Sequence, residues 1–567
     1  MCGIFTLINY TRTVSSGTID TNKIIEIFNK GVNRGPESSV IQFKDTLNYI
    51  KGFHRLAING LNNESNQPLI FGEYSLICNG EIYNYKQLYQ MMNIEPTTGS
   101  DCEIIIHLFI RYGICQTLRM LDGVFAFVLY TPNSIYVARD PYGVRPLYFF
   151  RTLAATHFND LMIGFTSELK TLCPIANTLK QSVQQFLPGN LMIIDKTTDY
   201  EKILWVVKNY SSYHLPSFSY SYPLKTDFDF EAQTQTDIMN VYLKGIELHL
   251  TNAVYKRYVT TERPIACLLS GGLDSSLIAA IVCKIHNGNV HATGNANTNT
   301  KIETYSIGLP DSEDIKYARI VADYIGSKHT EIIVSEQEML DAIPEVITAI
   351  ESFDTTSVRA SIGNYLIGKY IKNNSDAKVI FNGDGSDELA GGYLYMSSCP
   401  DSIEYDKETL RLLKDIYLFD VLRSDKSISS HGLEPRTPFL DKGFVNYYLS
   451  IPLEIRNHNL VNKMEKYLIR MAFEESKILP AEILWRKKEA FSDGVSNKGK
   501  SLFQIIQDFI DTKIPNTSLN KKQKEKKYYK DIFDSEYPNH MHIVPYYWMP
   551  KYINSDDPSA RTLASYK

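Results

Sequence analysis

The sequence predicts two folding units of different class: an antiparallel, β-rich α+β unit over residues 1–210, then an α/β unit with a doubly wound parallel sheet over 237–567. Three observations carry this. Short apolar segments separated by Asn-Gly, Asp-Gly and Pro-Tyr-Gly turns recur through the first third, as hairpins require. From Ile238 onward, long helical patterns alternate with short buried runs, the signature of a parallel sheet covered by helices. Between them, Ser211 to Asp229 is rich in Ser, Tyr and Pro, has no period and reads as part of a linker, 211–236.

In chain order, the first unit offers strands at Leu76-Ile77-Cys78, Val124 to Leu129, Ile135 to Ala138 and Leu147 to Phe150. Helical spacing appears at Asn22 to Val32 and Asp101 to Tyr112. In the second unit Met239 to Tyr255 reads as a helix, and Pro264 to Leu269, Lys301 to Ile307 and Lys378 to Asn382 as buried strands. The chain beyond Asp387 reads as mostly helical. With 567 residues and 44% hydrophobic content, both units can build large cores. A net charge of −5 without a long one-sign block gives no support for nucleic-acid binding. No apolar stretch reaches 18 residues, so no membrane span is expected, and the first residues lack the layout of a secretory signal. Eight scattered cysteines without a Cys-x-x-Cys pair fit neither a zinc site nor a disulfide framework, and a reducing cytoplasm is the expected setting.

The second unit is organised around Leu269-Ser270-Gly271-Gly272-Leu273-Asp274-Ser275-Ser276. An apolar strand, a glycine-rich turn and an apolar helix from Leu277 point backbone N–H groups at an anion. Asp274 would repel phosphate directly but suits a Mg²⁺ that touches it. The stretch resembles the pyrophosphate loop of ATP pyrophosphatases. At the other end, Cys2 becomes a terminal residue if Met1 is removed, and its α-amino group can then serve as its base. Cys2-Gly3-Ile4-Phe5, Arg34-Gly35-Pro36, His54-Arg55-Leu56, Asn79-Gly80-Glu81-Ile82-Tyr83-Asn84 and Ser100-Asp101 follow in order. Together they resemble a class II glutamine amidotransferase domain, which is an N-terminal-nucleophile hydrolase. Arg55 offers a fork for the α-carboxylate of glutamine, and Asp101 with the Glu81 region suits its ammonium. The Asn79 amide and the Gly80 N–H suit an oxyanion. The resemblance further implies a glutamine-binding segment through Leu56, Ala57, Ile58 and Asn59. Glu37 stands where that family usually has aspartate, and a small structural consequence is expected.

Both halves together resemble the glutamine-hydrolysing asparagine synthetases of the B type. Matching pieces include Arg139 to Leu147, Ser167 to Lys170, Asp354-Thr355-Thr356, Gly385-Ser386-Asp387-Glu388, Glu434 to Asp441, Lys463 to Lys466, Phe491 to Val495 and Asp557 to Arg561. The resemblance implies ATP, aspartate and glutamine as substrates, asparagine, AMP, pyrophosphate and glutamate as products, and ammonia passing through an internal channel. It places ATP on Leu269, Ser270, Gly271, Gly272, Asp274, Ser275, Ile307, Gly308, Asn382 and Gly383, and Mg²⁺ on Asp274 and Asp387. Lys463 is the candidate to neutralise pyrophosphate. Asp384 stands where the family usually has glutamate, one methylene longer, and slower synthesis is expected. Partners are small molecules, with no nucleic acid and no membrane, and self-association into a homodimer is left open. A β-lactam-synthetase-like relative would not need the glutaminase residues, and a non-catalytic sensor would not need both sets of charged groups. Gly494 to Ser501 matches a P-loop pattern, but Trp485 to Ala490 before it cannot be the buried strand such a loop requires. Asn9-Tyr10-Thr11 fits a glycosylation sequon without a route to secretion.

Overall fold

The computed structural model describes residues 1–10, 20–152, 161–199, 202–214, 235–293, 301–461, 463–496, 500–515 and 518–562. Most of the expected linker, the centre of the P-loop-like stretch and Thr11 of the sequon lie outside these residues. Ser211 and Ser212 belong to the strand Lys202–Ser212 rather than to a linker.

The first unit is built on two six-stranded antiparallel sheets. In one, Gly3–Ile8 lies between Tyr49–Arg55 and Ile163–Thr166. In the other, Ser75 to Ile82 of the strand Tyr74–Ile82 pair with the whole of Gly123–Tyr130. Strand residues alternate between faces, so inward positions of both sheets, among them Ile4, Ile8, Phe53, Ile77, Val128 and Phe165, merge into one apolar layer. The outer face of the second sheet buries Phe125, Phe127 and Leu129 against the helices Tyr85–Met92 and Ile104–Met120. Helix Thr21–Asn29 turns Ile24, Ile27 and Phe28 to the outer face of the first sheet.

The second unit carries a five-stranded parallel sheet whose spatial order is Lys328–Ile333, Glu303–Gly308, Ile265–Leu268, Val379–Phe381, Glu434–Arg436. The chain runs outward in one direction from Ile265–Leu268, then returns to lay Val379–Phe381 on its other side. That reversal opens a crevice at the carboxyl ends of the two central strands, where ligands bind such sheets. The loops leaving them are 269–272 and 382–385. Among the described residues no helix is long and apolar enough to cross a membrane.

The units share their cores. One apolar cluster joins Leu56, Ile58, Tyr83, Val124 and Val144 to Leu269, Leu389 and Leu440. A buried ionic seam accompanies it. Arg34 reaches Glu168 at 2.9 Å and Asp425 at 2.8 Å, and Lys426 pairs with Glu168 and Glu351, all with side chains 5% exposed or less.

Candidate active sites

Cys2 sits just before the central strand Gly3–Ile8. Its backbone nitrogen donates to Asn79 Oδ1 at 3.1 Å, its thiol lies 3.6 Å from the Leu56 carbonyl, and its own carbonyl accepts from Arg34 Nε at 2.9 Å. Asn79, on the facing sheet, is fully buried, and its Nδ2 has no hydrogen-bond partner. A buried amide donor left unsatisfied beside a thiol is a group waiting for an acceptor. Burial pushes the Cys2 thiol up and lowers the Met1 amine to about 6.

Arg55, whose fork was expected to meet the glutamine α-carboxylate, already has that fork engaged. Its two terminal nitrogens donate to Asn59 O, Gly60 O, Asn62 O and Asn66 Oδ1, so four of its five N–H donors shape the loop that follows it. Asp101 accepts from the Ile82 N–H at 2.6 Å, and burial raises its carboxyl to about 6. Glu81 accepts from Asn59 Nδ2 at 2.7 Å and faces Arg436 at 3.3 Å. Burial first, then Asp101, pushes its carboxyl well above the usual range. Glu37 departs from the family with a visible consequence: Oε2 accepts from the Ala57 N–H at 2.7 Å, while Oε1 pairs with Arg263 of the second unit.

The crevice of the parallel sheet forms the second site. Leu269, Ser270, Gly272, Asp274, Ser275, Ile307, Asn382, Gly383, Asp384 and Asp387 all line it. Ser270 and Ser275 hydroxyls hold each other at 2.9 Å, and Ser275 Oγ accepts from the Ser270 N–H, which keeps the loop wound around the space in front of it. Gly383 is required by close approach: a Cβ there would lie 2.8 Å from the Asp274 backbone. Gly271 and Gly308 stand back from the cavity. Gly271, at φ +70°, packs against the helix Glu313–Ile325, and Gly308 packs against Ser312.

Asp274 and Asp387 converge on one ammonium. Lys466 Nζ is 2.5 Å from each, Lys488 Nζ is 2.6 Å from Asp387, and Ser386 Oγ donates to Asp274 at 2.8 Å. Burial alone would raise the Asp387 carboxyl, but Lys466 and Lys488 outweigh it and hold it below the usual range. Lys463, expected in this role, is elsewhere: its Nζ lies over the Tyr467 ring, 5.3 Å from the centroid. Lys466 and Lys488, given no role from the sequence, line the crevice and Lys463 does not. Among the described residues no cluster of three or more His, Cys, Asp or Glu side chains could hold a metal. A pair of carboxylates fits Mg²⁺ nonetheless, since that ion takes one or two protein carboxylates and completes its shell with phosphates and water.

Asp384 faces a third group. Its Oδ1 is 3.3 Å from Arg423, which also pairs with Asp420, and its Oδ2 is buried without a partner. Burial, reinforced by Asp420, raises its carboxyl to about 6. Arg423 and Asp420 were missed by sequence reasoning because they lie in an unremarkable helix, Asp420–Ser429, far from any motif.

These sites agree with the similarities of the whole chain. The family model described as glutamine amidotransferase domain matches residues 1–210, and that described as asparagine synthase matches 245–405 and 399–552. Asparagine synthetase [glutamine-hydrolyzing] of Gallus gallus is 41% identical over 592 residues, covering 100% of this chain and 99% of its own. The proteins of that name from Cricetulus griseus and Homo sapiens are 41% and 40% identical, with the same coverage of both chains. The chain therefore belongs to the family of glutamine-hydrolysing asparagine synthetases.

Proposed function

We propose that the chain converts ATP, aspartate, glutamine and water into asparagine, AMP, pyrophosphate and glutamate at two sites joined by an ammonia path. The observation that carries the first site is Asn79, which holds the Cys2 nitrogen with one amide atom and keeps the other buried and unpaired. With Met1 removed, that nitrogen becomes an α-amine, a group that titrates near neutral pH and can take the thiol proton. The thiolate attacks the side-chain amide carbon of glutamine, and the oxyanion meets Asn79 Nδ2 and the Gly80 N–H. Ammonia leaves with the proton returned by the amine. Water then cleaves the γ-glutamyl thioester to glutamate and free Cys2.

At the second site the triphosphate lies at the loop that opens the helix Leu273–Thr293, whose N-terminal end favours an anion. The β-carboxylate of aspartate attacks the α-phosphorus and pyrophosphate leaves. Lys466 and Lys488 bring cationic charge to that leaving group. Mg²⁺ held by Asp274 and Asp387 would supply further charge neutralisation. Arg423 offers a guanidinium to a substrate carboxylate beside Asp384, and Asp384 or Asp420 can take an ammonium. Ammonia displaces AMP from the β-aspartyl adenylate to give asparagine. The apolar cluster from Leu56 and Val124 to Leu269 and Leu440 supports passage of neutral ammonia rather than ammonium. A reducing cytoplasm, in which eight free thiols persist, suits the protein.

Pyrophosphate release and asparagine formation, measured with ATP, Mg²⁺ and aspartate plus glutamine, ammonium or neither, test the proposal. Wild type should use both nitrogen sources and Cys2→Ala ammonium alone. Glutamine hydrolysis without any aspartate-dependent pyrophosphate release would overturn the second half of the reading.

A further inference from the structure

The segment that would wall the glutamine pocket, Ala57 to Gly60, is held from the opposite unit. Residues 260–263, which lead into the strand Ile265–Leu268, bond to each residue of it in turn. Arg263 Nε donates to Ala57 O at 2.7 Å, and Glu262 N donates to Ile58 O at 3.0 Å. Asn59 Nδ2 donates to Thr260 O at 3.2 Å, and the Gly60 N–H donates to Glu262 Oε1 at 2.9 Å. A terminal nitrogen of Arg263, Nη2, pairs with Glu37, whose other oxygen holds the Ala57 N–H. Ala57 is thus gripped at both its polar backbone atoms, by an acid of the first unit and a base of the second that are themselves paired.

From this geometry we infer that Arg263 and Glu262 are positioning residues of the glutaminase: the synthetase unit completes the glutamine pocket by fixing its wall. The inference rests on the reading of the first unit as a glutaminase. The physical argument is one of population. Within the first unit, Ala57 to Gly60 has Arg55, Glu37 and Glu81 as polar supports. Four further bonds from residues 260–263 narrow the conformations the segment visits before substrate arrives. The apparent dissociation constant is the intrinsic one divided by the fraction of competent pockets, so loosening the segment raises KM without altering the chemistry at Cys2. Glu37 matters here by its length. The usual aspartate is one methylene shorter, and in this chain the glutamate spans from the Ala57 N–H to Arg263.

The test is steady-state kinetics of the full-length enzyme with ATP, Mg²⁺ and aspartate, varying glutamine in one series and ammonium in another. Arg263→Ala should raise the KM for glutamine about tenfold, the equivalent of one charge-assisted hydrogen bond, with the saturating glutamine rate held within about twofold. Its ammonium series should match wild type. Arg263→Lys, which keeps a donor for Ala57 O, should recover part of the affinity, and Glu262→Ala should shift KM in the same direction. An unchanged KM for glutamine in both alanine variants, or a parallel fall in the glutamine and ammonium series, overturns the inference. Failure of wild type itself to hydrolyse glutamine would instead remove the glutaminase reading on which it rests.

Discussion

Asn79→Ala separates structure from catalysis with unusual clarity. In the folded protein the side chain makes one bond through Oδ1, to the Cys2 nitrogen, and leaves Nδ2 buried and unpaired. Truncation leaves the Cys2 nitrogen without its acceptor, about 1–3 kcal/mol, but removes an orphaned donor whose burial costs a similar amount. The small void left behind costs about 1 kcal/mol. These terms nearly cancel, so stability should change by less than about 2 kcal/mol and the melting temperature by no more than about 4 °C. Catalysis has no such offset. An oxyanion donor removed from a preorganised site costs about 10²–10³ in kcat, equal to about 2.7–4 kcal/mol. Glutamine hydrolysis should fall by that factor while ammonium-dependent synthesis stays within about twofold of wild type, because the synthetase crevice is a separate site. The assay is glutamate release beside asparagine formation from each nitrogen source, with a thermal melt on the same preparation. A loss of glutaminase activity below about tenfold would refute the oxyanion role, and a large drop in melting temperature would refute the orphan-donor argument.

Other outcomes follow from the same geometry. Lys466→Ala should slow aspartate-dependent pyrophosphate release by about 10² or more, whereas Lys463→Ala should leave it within about threefold; equal effects would show that the contacts of Lys466 are structural. Asp384→Glu lengthens the carboxylate toward the pocket and should raise the rate of synthesis, and an unchanged rate would show that the shorter side chain already reaches. For Asp101 the sign is set by burial, which raises its carboxyl to about 6, so the anion that would meet the substrate ammonium is lost as pH falls through that value. The KM for glutamine should therefore climb below pH 6, and Asp101→Asn should carry the high value at every pH.

Much of the architecture was legible because the elements carrying it are apolar and periodic. Gly123–Tyr130 and Ile265–Leu268 read as strands from composition alone. The outer strands of the parallel sheet did not. Lys328–Ile333 is Lys-His-Thr-Glu-Ile-Ile, a polar edge with no continuous apolar run, and Glu434–Arg436 is three residues with a central proline whose charges are buried in ion pairs. Both are strands by pairing rather than by propensity. The lysines illustrate a different limit. Lys463 and Lys466 share one motif, and nothing in a linear string says which faces the crevice. Lys466 does so from a left-handed backbone, φ +56°, at the start of the helix Tyr467–Glu474. Lys488 was obscured by its company, Arg486-Lys487-Lys488-Glu489, which reads as a solvated surface run yet closes onto Asp387. Cross-unit partners such as Arg34 and Asp425 lie 391 positions apart and leave no local trace.

The ionic seam between the units bears on how this chain can be cut. A charge buried in a pair becomes a liability once its partner is gone, costing about 3–5 kcal/mol for each pair broken, against a total of about 5–15 kcal/mol for a typical domain. Separating the units would break the Arg34–Asp425 and Lys426–Glu168 pairs, leaving Arg34 with Glu168 and Lys426 with Glu351. A cut between the halves would also open the apolar cluster they share, so each half carries a face built to be covered by the other. A single melting transition for the full-length chain is the expected consequence.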